Sequence, residues 1–237
     1  MMAMVSKGIL HENTAYFKKI DKTDYLKQLK PDDRKILQEV KSAYGNMSAA
    51  ALMKHTYLNY PFYAIKSKAA EKILNTEELQ KIRQAKPEGN KTVLFTIGYE
   101  GISLEEYLVR LLKNDVKVLV DVRNNPFSMK YGFSKNQLQR YCESMGIQYV
   151  HFPEMGIQSE QRQELNTQAD YDKLFDLYRK DNLKKTRDKQ EQILDLLNEH
   201  KRIALTCFEA DICRCHRKHL AEAIETLQGF TYEVKHI

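Results

Sequence analysis

From residue 92 onward, short apolar runs alternate with segments whose apolar residues recur every three or four positions. Short apolar runs between polar residues are typical of buried strands, and the longer spacing is typical of amphipathic helices. The pattern predicts strands at residues 93–97, 116–122, 147–152, 203–207 and 231–234. Strands separated by helices predict right-handed crossovers and a mostly parallel sheet with helices on both faces.

Two of the predicted helices begin at a serine that is followed, three residues later, by a long polar side chain. Ser103 precedes Glu106, and Ser134 precedes Gln137. Each pair has the spacing of a capping box, in which the two side chains bind backbone N–H groups at the helix start. A long polar segment with helical spacing separates the third predicted strand from the fourth.

The front of the chain has helical spacing and no comparable run of strands. Residues 1–30 are predicted as an irregular or partly helical arm, and a helix is predicted over residues 32–44. The stretch 84–91 is polar, contains Pro and Gly, and has the composition of a linker. The predicted organisation is a small all-helical module at 1–83, a linker at 84–91 and an α/β domain at 92–237.

The composition is that of a soluble globular protein, with 42% hydrophobic residues and only 9 Gly and 5 Pro among 237 residues. No apolar run approaches the roughly 18 residues that a membrane span needs. The first ten residues have no apolar stretch long enough for a signal peptide. We therefore expect a cytoplasmic protein without a membrane partner, whose four cysteines are reduced thiols or metal ligands.

The positive charge lies in the front module. Residues 1–91 hold 17 lysines and arginines against 10 acidic residues, whereas residues 92–237 hold 21 against 22. Such a bias fits either a nucleic-acid partner for residues 1–83 or an ordinary lysine-rich helical surface. If nucleic acid is the partner, the phosphate contacts are expected at Lys66, Lys68 and Lys72.

Polar or special residues follow the predicted strands at their carboxyl ends. They are Gly98 and Tyr99, Asp121 and Arg123, His151 and Glu154, and Cys207 and Glu209. In a parallel sheet these ends meet at one edge, which is where open α/β sheets bind ligands. The sequence therefore predicts a cleft at this edge.

The turn after the fourth strand carries the densest chemistry. Cys215, His216 and Arg217 lie where the next helix begins, and Asp211 is the expected cap of that helix. Backbone N–H groups at the start of a helix favour anions. The predicted ligand-binding residues are thus Gly98, Tyr99, Asp121, Arg123, His151, Cys207, His216 and Arg217.

Four segments together resemble the domain-of-unknown-function family 488. They are residues 96–99, residues 121–126, residues 151–154 and residues 207–217, in the right order. The resemblance spans about residues 93–228 and implies a Rossmann-like three-layer domain, without implying a particular reaction. Two departures are Ile212, where the family pattern often has proline, and Cys213, an additional thiol.

Two interpretations of the arginines remain open. Arg123 and Arg217 could hold an anion bidentately, or they could form structural ion pairs with Asp121 and Glu209. Glu209 and Glu154 could act as general acid or base in a partly dry cleft, or could simply accept backbone hydrogen bonds.

The cysteines allow a nucleophile or a metal site. Basic neighbours in the first turn of a helix predict a lowered pKa for Cys215, which would make it reactive, although it could equally be a packing residue. A metal site of Cys207, Cys213, Cys215 and His216 lacks the Cys-x2-Cys spacing of structural zinc sites, so no metal is predicted. His151, between apolar neighbours, is expected to be a satisfied histidine.

The favoured interpretation is an enzyme-like α/β domain that binds a phosphorylated or other anionic small molecule, with Cys215, Glu209 and Glu154 as candidate catalytic residues. The alternatives are a nucleic-acid-associated protein that docks through residues 1–83 and a module with a vestigial cleft. The sequence identifies no cofactor.

Overall fold

The chain divides into two compact units, Met1–His55 and Thr56–Ile237, which are described separately. The computed structural model describes residues 10–12, 17–19, 22–87, 89–158, 161 and 165–237. The predicted linker at residues 84–91 stays a prediction.

The first unit contains a short hairpin and helices. Strands β1 (Leu10–Glu12) and β2 (Phe17–Lys19) pair antiparallel, which corrects the prediction of an irregular or helical arm. Residues 1–9, 13–16 and 20–21 of that arm lie outside the described residues. Helices α1 (Tyr25–Gln28) and α2 (Pro31–Tyr44) follow, and α2 begins with proline and two aspartates, which suit a helix start.

A small helical layer opens the second unit. Helices α4 (Ala70–Ile73) and α5 (Thr76–Gln84) pack around Tyr57, which belongs to helix α3 (Ala49–Asn59). Lys66 donates a hydrogen bond to the carbonyl of Met145, and burial lowers the Lys66 pKa. Lys66 is thus engaged within the unit, and nucleic-acid binding stays a prediction.

A five-stranded parallel sheet forms the centre of the second unit. In spatial order its strands are β5, β4, β6, β3 and β7. Their bounds are Val93–Gly98 for β3, Val118–Asp121 for β4, Gln148–His151 for β5, Arg202–Cys207 for β6 and Glu233–His236 for β7. The predicted α/β fold class with a parallel sheet is confirmed.

Helices cover both faces of the sheet. On one face, α6 (Leu104–Lys113) and α7 (Lys135–Ser144) pack on Phe95, Leu119 and Ala204. The opposite face packs against α8 (Gln168–Leu177), a π-helical turn (Tyr178–Asn182), α9 (Leu183–Lys185), α10 (Arg187–His200) and α11 (His216–Glu225). Among the described residues, no helix is long and apolar enough to cross a membrane.

The strand order explains where a cleft forms. Strand β6 lies between β4 and β3, and the helices that follow β3 and β4 cover one face, whereas the helix that follows β6 covers the other. Loops that diverge to opposite faces leave a crevice beyond the carboxyl ends of the strands. The end of β6, at Cys207, therefore borders this crevice.

The two predicted capping boxes have different outcomes. Ser103 caps α6, because its side chain accepts a hydrogen bond from the Glu106 N–H at 3.1 Å. Ser134 makes no cap bond, since its hydroxyl oxygen accepts from the Ser128 N–H at 3.1 Å and its proton is donated to the Ser128 carbonyl at 3.0 Å. The second box was therefore wrong, because the loop competes for the same side chain. Only the serine half of the first box forms, because the Glu106 carboxylate accepts from Arg110 at 2.7 Å.

We expect Ser103→Ala to lower the free energy of unfolding by about 1 kcal/mol, because one N–H group at the start of α6 loses its acceptor. Urea unfolding followed by circular dichroism measures this change. Ser103→Asp, which restores an acceptor, should recover most of the loss. An unchanged midpoint in Ser103→Ala would mean that water replaces the cap without cost.

Candidate functional site

The carboxyl ends of β3, β4 and β6 surround a small cavity. Gly98 is paired with Cys207 across the sheet, and Asp121 lies between Thr206 and His151. The cavity has a volume of about 210 Å³, and its lining residues are Tyr99, Arg123, Asn124, Asn125, Phe127, Ile157, Cys207 and Phe208. Three of the predicted ligand-binding residues, Tyr99, Arg123 and Cys207, thus share one hollow.

Two larger cavities lie beside it. One of about 390 Å³ is bordered by Phe208, Glu209 and Ile157, and another of about 500 Å³ by Asn124, Ile157 and Glu154. Ile157 borders all three cavities. Glu154 is exposed, so it does not have the dry surroundings that its predicted acid or base role needs.

Arg123 is held by a buried ion pair with Asp121. Its Nε lies 2.8 Å from Asp121 Oδ1, and its Nη2 lies 2.5 Å from Oδ2. Burial by itself lowers the pKa of Arg123, but the carboxylate more than offsets this, so the pKa stays above its ordinary value. The structural interpretation of Arg123 therefore applies, and its charge still borders the cavity.

Aromatic side chains complete the surroundings of this pair. Tyr149 donates to Asp121 at 2.5 Å, and Tyr99 accepts from Arg123 Nη1 at 2.7 Å. Tyr99 also stacks on Phe133 with ring centroids 4.2 Å apart. Burial raises the pKa of both tyrosines, so their hydroxyls are neutral donors or acceptors at physiological pH.

His151 is satisfied at the rim, as the sequence led us to expect. Its Nε2 lies 2.8 Å from the carbonyl of Arg123, and its Nδ1 lies 3.1 Å from Lys135 Nζ. A carbonyl can only accept and an ammonium can only donate, so the ring has its proton on Nε2. We infer that His151 fixes the loop after β4.

Four side chains form a cluster at the end of β6. They are Cys207, Glu209, Cys215 and His216, and one potential ligand atom from each lies within 4.8 Å of all the others. Cys207 Sγ lies 2.9 Å from Glu209 Oε2 and 3.7 Å from His216 Nδ1. Cys207, Cys215 and His216 are buried, and Glu209 is half-buried.

The imidazole of His216 has a defined orientation. Its Nε2 lies 3.0 Å from the backbone carbonyl of Val122, which can only accept a hydrogen bond. The proton is therefore on Nε2, and the lone pair of Nδ1 faces Cys207. The ring of Tyr178 packs edge-on against the imidazole, with centroids 5.6 Å apart.

The comparison with protein families places this site in a known group. The model of the family described as "Domain of unknown function DUF488" matches residues 103–224, which is more than half of the chain. The chain belongs to the DUF488 family. Neither the curated proteins nor the solved structures include a match to this chain.

The matched range of the DUF488 domain includes the whole cluster, but not Gly98 or Tyr99 at the end of β3. Gly98 is needed for a close approach, because a Cβ at this position would overlap the carbonyl oxygen of Glu209. The end of β3 and the loop after β6 are thus in direct backbone contact.

The predicted lowering of the Cys215 pKa was wrong. Burial raises the pKa of this thiol well above its ordinary value, and the neighbouring Cys207 and Glu209 raise it further. Arg214 points away towards Asp211, 3.8 Å from its carboxylate, and only Arg217 opposes the rise. The role of Cys215 as a nucleophile stays a prediction of the sequence.

Arg217 is buried beneath the loop that carries Glu209. It donates to the backbone carbonyls of Glu209 and Ala210, and not to the Glu209 carboxylate. Within the described part of the chain, Arg217 Nε has no hydrogen-bond partner. The ion pair considered for Arg217 and Glu209 is therefore replaced by backbone contacts.

Asp211 has a smaller role than the sequence indicated. Its Oδ1 accepts from the Cys213 N–H at 2.9 Å and caps a single 3-10 turn, Ile212–Arg214. Helix α11 begins later, with Cys215 as its N-cap residue. The expected helix cap at Asp211 was therefore wrong, because this extra turn precedes the helix.

Sequence reasoning missed five residues that line the small cavity. They are Asn124, Asn125, Phe127, Ile157 and Phe208. Their position directly after strands β4 and β6 was the available signal for Asn124, Asn125 and Phe208. Ile157 had no such signal, because it follows a 3-10 turn at Pro153–Met155, which brings Gly156 against the backbone of Asn124.

Proposed function

We propose that this DUF488 domain is an enzyme-like module that binds a small anionic molecule at the carboxyl edge of its sheet, next to the cluster of Cys207, Glu209, Cys215 and His216. The single observation that carries this proposal is the small cavity that has Arg123 on one side and Cys207 on the other. N–H donors facing a polar reactive group are the arrangement that holds and orients an anionic substrate.

The charge and the donors at the cavity favour an anion. Asp121 offsets the charge of Arg123, but among the described residues only one of the two N–H groups of Arg123 Nη2 has an acceptor, so the other can donate to an anion. Asn125 accepts a hydrogen bond from the Phe127 N–H through Oδ1, at 3.2 Å, which leaves its amide nitrogen to donate. The first turn of α11 adds its partial positive charge on the side of Cys215.

The size of the cavity limits what it can hold. A volume of about 210 Å³ suits one charged group, such as a phosphate or a carboxylate, rather than a whole cofactor. The adjoining cavities of about 390 and 500 Å³ offer room for the remainder of a ligand. Phe208, which borders two of these cavities, would contact the ligand where it passes between them.

The cluster supplies the reactive groups. The Cys207 thiol donates its hydrogen bond to Glu209 Oε2. The Nδ1 lone pair of His216, 3.7 Å from the sulfur, is a second acceptor for that proton, because the Nε2 proton is directed to Val122. Glu209 lies 2.9 Å from the same thiol and is the more accessible acidic partner. We therefore assign the candidate chemistry to Cys207 and Glu209 before Cys215.

We expect at least one member of a panel of inorganic phosphate, sulfate, dicarboxylates and nucleoside phosphates to raise the unfolding temperature. A ligand at about 100 times its dissociation constant adds roughly 2.7 kcal/mol of stability. Asn125→Ala and Phe208→Ala should weaken the binding at least about tenfold, since each removes one ligand contact. Calorimetric titration measures both affinities.

Met129→Ala is the matched control, because Met129 is 93% exposed and belongs to the same loop without bordering the cavity. It should bind the anion as the wild type does. A silent panel, or an affinity that neither Asn125→Ala nor Phe208→Ala alters, would contradict the proposal.

A further inference from the structure

The cluster at the end of β6 has the dimensions of a tetrahedral metal site. Zinc bonds of about 2.3 Å to sulfur and about 2.0–2.1 Å to nitrogen or oxygen place neighbouring ligand atoms about 3.3–3.8 Å apart. The distance from Cys207 Sγ to His216 Nδ1 is 3.7 Å, and no pair of the four atoms exceeds 4.8 Å. Small side-chain rotations therefore suffice to surround an ion.

The orientation of His216 is that of a metal ligand. Metal-bound histidines almost always donate their second ring N–H to a carboxylate, a carbonyl or water, which fixes the tautomer and the ring. Here Nε2 donates to the carbonyl of Val122 at 3.0 Å, and Tyr178 holds the ring from the side. Tyr178 is itself held, because its hydroxyl donates to the Met155 carbonyl at 2.6 Å.

We propose that Cys207, Cys215, His216 and Glu209 bind one zinc-class divalent ion. Two sulfurs and an imidazole nitrogen are soft or borderline ligands that prefer zinc-class ions over magnesium or calcium. The proposal rests on the same location as the proposed function and deepens it, because it assigns the chemistry of that centre to a metal ion.

Charge balance supports this assignment. Two thiolates and one carboxylate carry three negative charges, and a divalent ion leaves one of them uncompensated. Arg217 is only 2% exposed and contacts the Glu209 and Ala210 carbonyls, so its positive charge lies beside the centre. A buried guanidinium without a carboxylate partner is costly, and an anionic metal centre would stabilise it.

Glu209 is the ligand that a substrate would displace. It is half-buried, whereas the other three ligands are buried, and it borders the cavity of about 390 Å³. Catalytic zinc sites keep three protein ligands and one position for water or substrate. An anion in the small cavity, which Cys207 borders, could then reach the ion directly.

The ligand spacing explains why the sequence did not predict this site. Cys207 and Glu209 follow the end of a strand, and Cys215 and His216 open a helix. The intervening 3-10 turn, Ile212–Arg214, brings the two pairs together without a Cys-x2-Cys knuckle. Cys213 within that turn is exposed and does not belong to the cluster.

Zinc analysis of the full chain, purified without chelator and then dialysed against zinc, tests the proposal. We expect about one equivalent per chain in the wild type, and less than about a tenth in Cys207→Ser and Cys215→Ser. Cys213→Ser and Cys142→Ser are the matched controls, because Cys213 is exposed and Cys142 is buried in α7 on the other face. Both should keep the metal.

A second measurement uses only the wild type, so it tests the proposal even if the variants fail to fold. Added zinc should protect Cys207 and Cys215 from alkylation at least about tenfold and leave Cys213 unprotected, as mapped by mass spectrometry. Cobalt in place of zinc should give thiolate-to-metal absorption. Less than about a tenth of an equivalent with zinc in excess, or equal protection of Cys213, would overturn the proposal.

The two proposals fail separately. If anion binding depends on Asn125 and Phe208 but persists in protein without metal, the metal proposal is wrong and the anion proposal stands. If the cluster holds one equivalent of zinc but no anion binds at any concentration tested, the anion proposal is wrong and the metal proposal stands.

Discussion

Asp121→Ala is expected to lower the free energy of unfolding by about 3–5 kcal/mol, the cost of removing one partner from a buried ion pair. Asp121 is fully buried and accepts from Arg123 and from the Tyr149 hydroxyl. Without it, Arg123 is left as an unpaired charge that is only 5% exposed. Chemical unfolding monitored by circular dichroism measures the loss.

Two variants control this prediction. Glu191→Ala breaks the pair of Arg187 and Glu191, both about 60% exposed, and should cost less than about 1 kcal/mol. Adding Arg123→Met to Asp121→Ala should recover part of the loss, because no buried charge then remains. If Asp121→Ala were as stable as Glu191→Ala, the buried pair would not hold the loop after β4.

Gly98→Ala is expected to cost about 1–3 kcal/mol and to disturb the candidate site. The new Cβ would overlap the backbone carbonyl of Glu209, and backbone cannot rotate away as a side chain can. Either β3 or the loop that carries Glu209 must move. We therefore expect a lower unfolding midpoint together with weaker anion and zinc binding.

Gly229→Ala separates instability from damage to the site. Gly229 has a φ of +91° and nothing within 4 Å of an added Cβ, so alanine there costs about 1 kcal/mol of backbone strain without a collision. It should reduce stability and leave ligand affinity unchanged. Anion and zinc binding of wild-type strength in Gly98→Ala would show that the contact with Glu209 is not needed.

The order of strands and helices was predictable because its signals are local. Strands β3, β4 and β6 are short apolar runs, and α6 begins at the predicted serine cap, whereas β7 (Glu233–His236) is mostly polar and begins two residues after its predicted start. The strand order was not predictable, because the insertion of β6 between β3 and β4 depends on contacts between distant segments. Ser134 illustrates the same limit, since a loop residue six positions away competes for its hydroxyl.

The site was predictable in its location but not in its chemistry. The carboxyl ends of parallel strands meet at one edge of the sheet. The positions of Arg123 and Cys207 after their strands therefore predicted that both would border the cavity. The predicted shift of the Cys215 pKa had the wrong direction, because residues that are adjacent in sequence can point their side chains in different directions. Arg214 turns outward, and burial dominates the thiol. The tautomer of His216 depends on the carbonyl of Val122, 94 residues away.

We propose that the carboxyl edge of the sheet beside Cys207 is the functional centre of the protein. A crystal structure of the full chain grown with inorganic phosphate tests it most directly. We predict phosphate in the small cavity, within hydrogen-bond distance of Arg123 or Asn125 and next to Cys207 and Phe208. Phosphate bound only at surface lysines, with that cavity filled by side chains, would contradict the account.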